Sequence, residues 1–206
     1  MSATQKLFGI GWAKTGTTTL GACFKQLGFH HTGTDLGLLR TLMEGDLNTV
    51  KAKADSFSSF DDWPWPLLYR ELDAWYPGSK FILTIRDPDA WLQSYRRMIQ
   101  HQKARNDIGV IREYLYGYAE FRGHEKLFQE RYLRHNHDVK ENFRDRPNDL
   151  LVLDWSTGDG WTELCTFLHL PVPDSPLPHR NKGSWMHAKA LNWRHRIMGH
   201  IERRSP

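Results

Sequence analysis

The chain has 206 residues, 39% of them hydrophobic, with nine tryptophans; this suits one globular domain spanning 1–206 and excludes a disordered chain. A net charge of +4, spread without long basic runs, favours an anionic small ligand and argues against nucleic acid as a partner. No apolar run reaches membrane-spanning length and the amino-terminal residues lack a signal-peptide pattern. Cys23 and Cys165 fall on apolar helix faces as reduced core thiols, so a cytoplasmic protein is expected.

Leu7, Phe8, Ile10 and Trp12 predict a buried strand over 6–12. It runs into Ala13-Lys14-Thr15-Gly16-Thr17-Thr18-Thr19, small polar residues around one lysine. Leu20, Cys23, Phe24 and Leu27 then recur at helical spacing, and Gly28 stands where a helix takes a left-handed cap. Strand, tight loop and helix together aim backbone N–H groups and a helix dipole at one anion, above all a phosphate. Gly11 and Gly16 have the separation of a Walker loop. Thr17, however, stands where the nucleotide-binding lysine belongs, and the lysine lies three residues earlier at Lys14.

Residues 29–34 read as a second strand. His30 and His31 would point to opposite faces there, which favours structural histidines over a shared metal. Thr34 and Asp35 open a helix with Leu36, Leu39, Leu42 and Met43 on its apolar face. A third strand is expected over 54–60, ending in Asp61-Asp62-Trp63-Pro64-Trp65-Pro66. Two carboxylates at a strand's carboxyl end either cap the next helix or serve as a general base, Asp62 before Asp61. Trp12, Trp63 and Trp65 either stack on an acceptor ring or belong to the core.

Residues 67–76 read as a helix. Lys80–Ile85 is the best strand pattern in the chain and leads into Arg86-Asp87-Pro88, an N-cap and first helical residue. Trp91, Tyr95, Met98 and Ile99 form the inward stripe that follows, bordered by Ser94. Helices are expected over 108–123 and 124–146, the second buried along Phe128, Tyr132, Val139 and Phe143 and otherwise solvated. His135-Asn136-His137 lies in mid-helix, outside the setting a nuclease motif requires. A last strand over 150–154 precedes a helix carrying Trp161, Leu164, Cys165 and Leu168. The basic stretch from Trp185 onward reads as a weakly amphipathic helix with no assigned function.

The Lys-Thr-Gly-Thr-Thr run at 14–18 resembles the 5′-phosphosulfate loop of the sulfotransferases, Lys-Ser/Thr-Gly-Thr-Thr. Arg86 and Ser94, eight residues apart across a strand end and the next helix, resemble that family's 3′-phosphate anchor. A weaker third likeness lies in Leu-Pro-His-Arg-Asn-Lys-Gly at 177–183, where Asn181 separates Arg180 from Lys182. The resemblance implies an α/β, P-loop-type three-layer fold, a five-stranded parallel sheet flanked by helices. It implies 3′-phosphoadenosine 5′-phosphosulfate as sulfuryl donor, no metal, and a small-molecule acceptor such as a sugar, phenol, alcohol or lipid. Lys14, Thr15, Gly16, Thr17, Thr18 and Thr19 would take the 5′ end of the donor, and Arg86 and Ser94 the 3′-phosphate. Arg180 and Lys182 are candidates to close over it. The dimerisation motif of the animal cytosolic enzymes and a clearly placed catalytic histidine are both absent, so the base and the oligomeric state stay open. Two other readings remain: a Mg²⁺-dependent P-loop phosphotransferase, and a nucleotide-binding protein without catalysis.

Overall fold

The computed structural model describes residues 5–101 and 108–178. Its strands are β1 (Leu7–Gly9), β2 (His31–Thr32), β3 (Ser59–Phe60), β4 (Lys80–Thr84) and β5 (Leu150–Leu153). They form one sheet in the order β2-β3-β1-β4-β5, and each neighbouring pair is parallel. The chain passes to one side of β1 for β2 and β3, then to the other for β4 and β5. The ends of β1 and β4 therefore flank the switch point where open α/β sheets bind ligands.

Alternation along the strands sorts the core into two layers. Phe8, Phe81 and Leu83 face a large cluster with Leu39, Val50, Leu72, Trp91, Phe128 and Tyr132. Leu7, Ile82 and Leu153 face the other side, against Leu20, Cys23 and Phe24 of α1 (Thr17–Gln26) and Leu164 and Cys165 of α8 (Trp161–Leu168). Burial on both faces is why these strands read as nearly continuous apolar runs. α1 ends as expected. Phe29 N–H reaches Phe24 O and Gly28 N–H reaches Lys25 O, with Gly28 at φ 86°, a Schellman closure that needs glycine's freedom. In α2 (Leu36–Met43) Asp35 is the N-cap, its Oδ1 accepting from Leu38 N–H at 2.9 Å.

Three sequence expectations are corrected. Residues 54 and 55 are not strand; they close α3 (Leu47–Asp55), leaving Ser59–Phe60 as β3. Asp46 starts that helix by accepting from Thr49 N–H at 3.0 Å, and Val50 and Ala54, four apart, form its buried seam. Residues 67–76 begin as a 3₁₀ turn (Trp65–Leu68) before α4 (Tyr69–Trp75). The helix expected over 108–123 stops at Tyr116 as α6 (Ile108–Tyr116), because Gly117 turns to φ 83°. The remaining helices are α5 (Pro88–His101) and α7 (Glu125–Asn142).

Candidate active site

β1 delivers the chain to a loop whose shape is set by close approach. A Cβ on Gly11 would lie 1.9 Å from Thr84 Oγ1 and 2.6 Å from Thr84 O, so only glycine lets the loop pass the end of β4. Thr15 Oγ1 donates to Trp12 O at 2.7 Å and shares a 2.6 Å hydrogen bond with Thr84 Oγ1. The Thr15 hydroxyl is thus spent inside the protein, latching the loop to β4. Lys14 and Gly16 both take positive φ, 76° and 98°, and Asp62 does too at 59°. Left-handed backbone at Lys14 and Asp62 is strained for side-chain-bearing residues, and such strain concentrates at functional sites.

Gly16 caps α1 without a side chain, and its carbonyl takes the N–H groups of Thr19 and Leu20 at 2.9 and 3.1 Å. The first-turn N–H groups of Thr17 and Thr18 have no carbonyl to meet within the helix and point outward with the positive dipole end. Thr17 is buried, Thr18 exposed and Thr19 between. A Cβ on Gly16 would meet the Trp155 indole at 2.5 Å, so Trp155, just past the end of β5, walls the loop on one side.

Arg86, at the end of β4, is held by its own backbone. Its N–H donates to Tyr132 Oη at 2.8 Å, and that hydroxyl donates to Arg86 O at 2.7 Å. Tyr132 stacks on Trp91 at 4.6 Å and 5°, and Trp91 Nε1 donates to Ala13 O at 2.8 Å. One buried aromatic pair therefore fixes the loop and the arginine relative to each other. Arg86 Nη1 then donates to Lys14 O at 3.3 Å, and the two expected cations are near enough for Arg86 to bear on the Lys14 ammonium. Ser94 is half-buried on α5, the helix that Asp87 caps through Ala90 N–H at 2.9 Å. Burial lowers both basic groups' proton affinity. For Lys14, Asp62 opposes the shift and Arg86 and Arg97 add to it; for Arg86, the next largest influence is Arg97. Arg97 escaped the sequence reading, although its position three residues after Ser94 puts it on the same helix face.

The two carboxylates part company. Asp61 is buried beneath α1, its Oδ1 3.4 Å from His31 Nε2, while His31 Nδ1 meets Ser59 Oγ at 3.1 Å. A Cβ on Gly21 or Gly33 would fall 2.6 or 2.8 Å from Asp61's oxygens, so those glycines make room for it. Asp62 faces the loop. Its Oδ2 accepts from Thr17 Oγ1 at 3.2 Å, its Oδ1 from Trp63 N–H at 2.9 Å, and Thr34 adds a further hydrogen bond. Desolvation, then the charge of Asp61, raises the Asp62 carboxyl above its ordinary range, so when ionised it is a stronger base.

Trp12 and Trp65 are core, 1% and 0% exposed, and Trp63 packs edge-on against Trp12 at 4.6 Å. The expectation of a solvated outer face on α7 is corrected at His135 and Asn136, which turn inward. His135 Nε2–H donates to Ile10 O at 2.8 Å, supporting the loop from below, and burial pushes its pKa down to about 4. Arg180 and Lys182 lie outside the described residues. Two surface hollows open elsewhere, one by Lys80, Asn148 and Phe167 at the amino ends of β4 and β5, the other among α5, α6 and α7. Charge and first-turn N–H groups mark the candidate site instead. Among the described residues no helix is long and apolar enough to cross a membrane.

The sulfotransferase domain family matches residues 6–186. A fungal protein, Ava biosynthesis cluster protein M of Aspergillus versicolor, is 25% identical over 218 residues, covering 85% of this chain and 80% of its own. A sulfotransferase from Alicyclobacillus acidocaldarius has the same fold, with a TM-score of 0.56 at 14% identity over 92% of this chain and 91% of its own. The domain match takes in the loop, the arginine and the sheet that joins them, and the chain belongs to the sulfotransferase domain family.

Proposed function

We propose that this protein transfers a sulfuryl group from 3′-phosphoadenosine 5′-phosphosulfate to a hydroxyl or amine of a small acceptor, releasing adenosine 3′,5′-bisphosphate. The observation that supports the reading is the 3.3 Å hydrogen bond from Arg86 Nη1 to Lys14 O, which joins the segments carrying the two cationic side chains. The residues present fit such a donor. The Thr17 and Thr18 N–H groups and the dipole of α1 suit its 5′-phosphate, with the Thr18 and Thr19 hydroxyls beside them. Thr15 and Gly16 shape the loop. Arg86 and Ser94 offer a guanidinium fork and a hydroxyl to the 3′-phosphate. In this reading Arg180 and Lys182 belong to a segment that closes over the same group.

Asp62 takes the proton that the acceptor oxygen or nitrogen loses as it bonds to sulfur. Lys14 offsets the charge left on the bridging oxygen as its bond to sulfur breaks. Anchoring the nucleotide at both ends converts remote binding energy into alignment of these groups. Asp61, committed to His31, has a structural part.

Calorimetric titration without added metal tests the reading. Adenosine 3′,5′-bisphosphate is expected to bind more tightly than ATP. Preference for ATP, or turnover of ATP that needs Mg²⁺, would favour a phosphotransferase and overturn the assignment.

A further inference from the structure

Arg97 stands out among the basic residues of α5. Its neighbour Arg96 reaches Glu125 Oε1 at 3.9 Å on the outer side. Arg97 itself makes no ion pair or hydrogen bond among the described residues. Its guanidinium instead bears on two other cations, Arg86 and Lys14. Three like charges thus gather at one crevice, with Asp62 the carboxylate felt by Lys14 and Asp154 and Asp87 those felt by Arg86. Asp62 is engaged by Thr17, Trp63 N–H and Thr34. Among the described residues Arg97 has no such partner, and an exposed guanidinium that could swing into solvent gains nothing by standing near two cations. The arrangement becomes favourable when an anion with several acceptor oxygens lies between the guanidinium groups.

Helical spacing identifies the anion's place. Ser94 and Arg97 are three residues apart on α5, so the arginine rises one turn above the serine on the same face. Arg86 enters the same space from the end of β4, held by Tyr132. We infer that Arg97 is a third ligand of the phosphate that Arg86 and Ser94 bind, so that two guanidinium forks share one tetrahedral oxyanion. This rests on the proposed donor, and it assigns Arg97 the discrimination of nucleotides with a 3′-phosphate from those without. Two planar forks satisfy more of a phosphate's oxygens than one.

The test compares adenosine 3′,5′-bisphosphate with adenosine 5′-monophosphate by calorimetry on the wild type, Arg97→Gln, Arg86→Ala and the double variant. Arg97 is exposed, so Arg97→Gln is expected to unfold at the wild-type temperature. It should weaken the bisphosphate by about tenfold and the monophosphate by less than about twofold, since a charge-assisted bond at a solvated site is worth the lower end of its range. Arg97→Lys should fall between, keeping the charge and losing the fork. The two arginine substitutions should be non-additive for the bisphosphate and additive for the monophosphate. Equal losses for both ligands, or none for either, would overturn the inference. So would unchanged titrations with a raised KM for a carboxylated or phosphorylated acceptor, which would move Arg97 to the acceptor's side. A wild type that binds the two nucleotides alike would instead remove the donor assignment beneath it.

Discussion

Gly11→Ala probes the join between loop and sheet. The added methyl would lie 1.9 Å from Thr84 Oγ1, a side-chain atom that can rotate, but also 2.6 Å from Thr84 O and 2.8 Å from Thr84 N, which cannot. No left-handed φ is involved at Gly11, so the penalty is steric. Relief requires the end of β1 to part from β4, which also strains the 2.6 Å Thr15–Thr84 hydrogen bond. Overpacking against backbone plus one lost hydrogen bond sums to about 3–4 kcal/mol. In a chain of this length that lowers the melting temperature by on the order of 10 °C. Gly28→Ala is the control. It meets nothing within 4 Å and suffers only its φ of 86°, a cost of roughly 1–2 kcal/mol. Thermal and urea unfolding of both variants decide the matter: a Gly11→Ala protein that melts no lower than Gly28→Ala would refute the close-approach argument.

Asp62→Asn should lower the rate of sulfuryl transfer to a simple phenol by about 10²–10⁴ with no fall in melting temperature, because the charge it removes is desolvated; unaltered turnover would dismiss Asp62 as the base. Arg86→Ala should weaken adenosine 3′,5′-bisphosphate far more than adenosine 5′-monophosphate in the same calorimeter, and matched losses would take Arg86 off the 3′-phosphate. His135 is buried neutral, with its pKa pushed down to about 4 from 6.5. Between those values the unfolded chain binds the extra proton, so stability should rise with pH from about 4 to 6.5, by roughly 3 kcal/mol in all. His135→Gln should flatten that slope in urea titrations, and an unchanged slope would assign it to other groups.

Much of the site was legible because its signals are local. A left-handed lysine-glycine loop between strand and helix, and an arginine at a strand end ahead of an Asp-Pro cap, each declare themselves within a few residues. Helix α3 was missed because Asp46, Val50 and Ala54 are a sparse pattern, and Ala54, Phe57 and Phe60 were read together as one strand. Asp61 and Asp62 could not be told apart in advance. Adjacent side chains leave a strand end in opposite directions, and which one met the loop depended on where α1 and His31 lay. Arg97 carried a signal in its spacing from Ser94, but a basic residue on a helix is ordinarily solvated, and its neighbourhood is made by β1 and β4.

Periodicity, capping and short-range backbone geometry are enough to read the layered α/β class, the strand-loop-helix around Lys14 and the place of Arg86 at a strand end. Long-range packing brings the Arg86 guanidinium to the Lys14 carbonyl, turns Asp62 rather than Asp61 toward the loop, and buries the tryptophans. Those outcomes depend on the order of strands in the sheet and on the packing of Trp91 and Tyr132 on one face of it, contacts between residues far apart in the chain that no local pattern encodes.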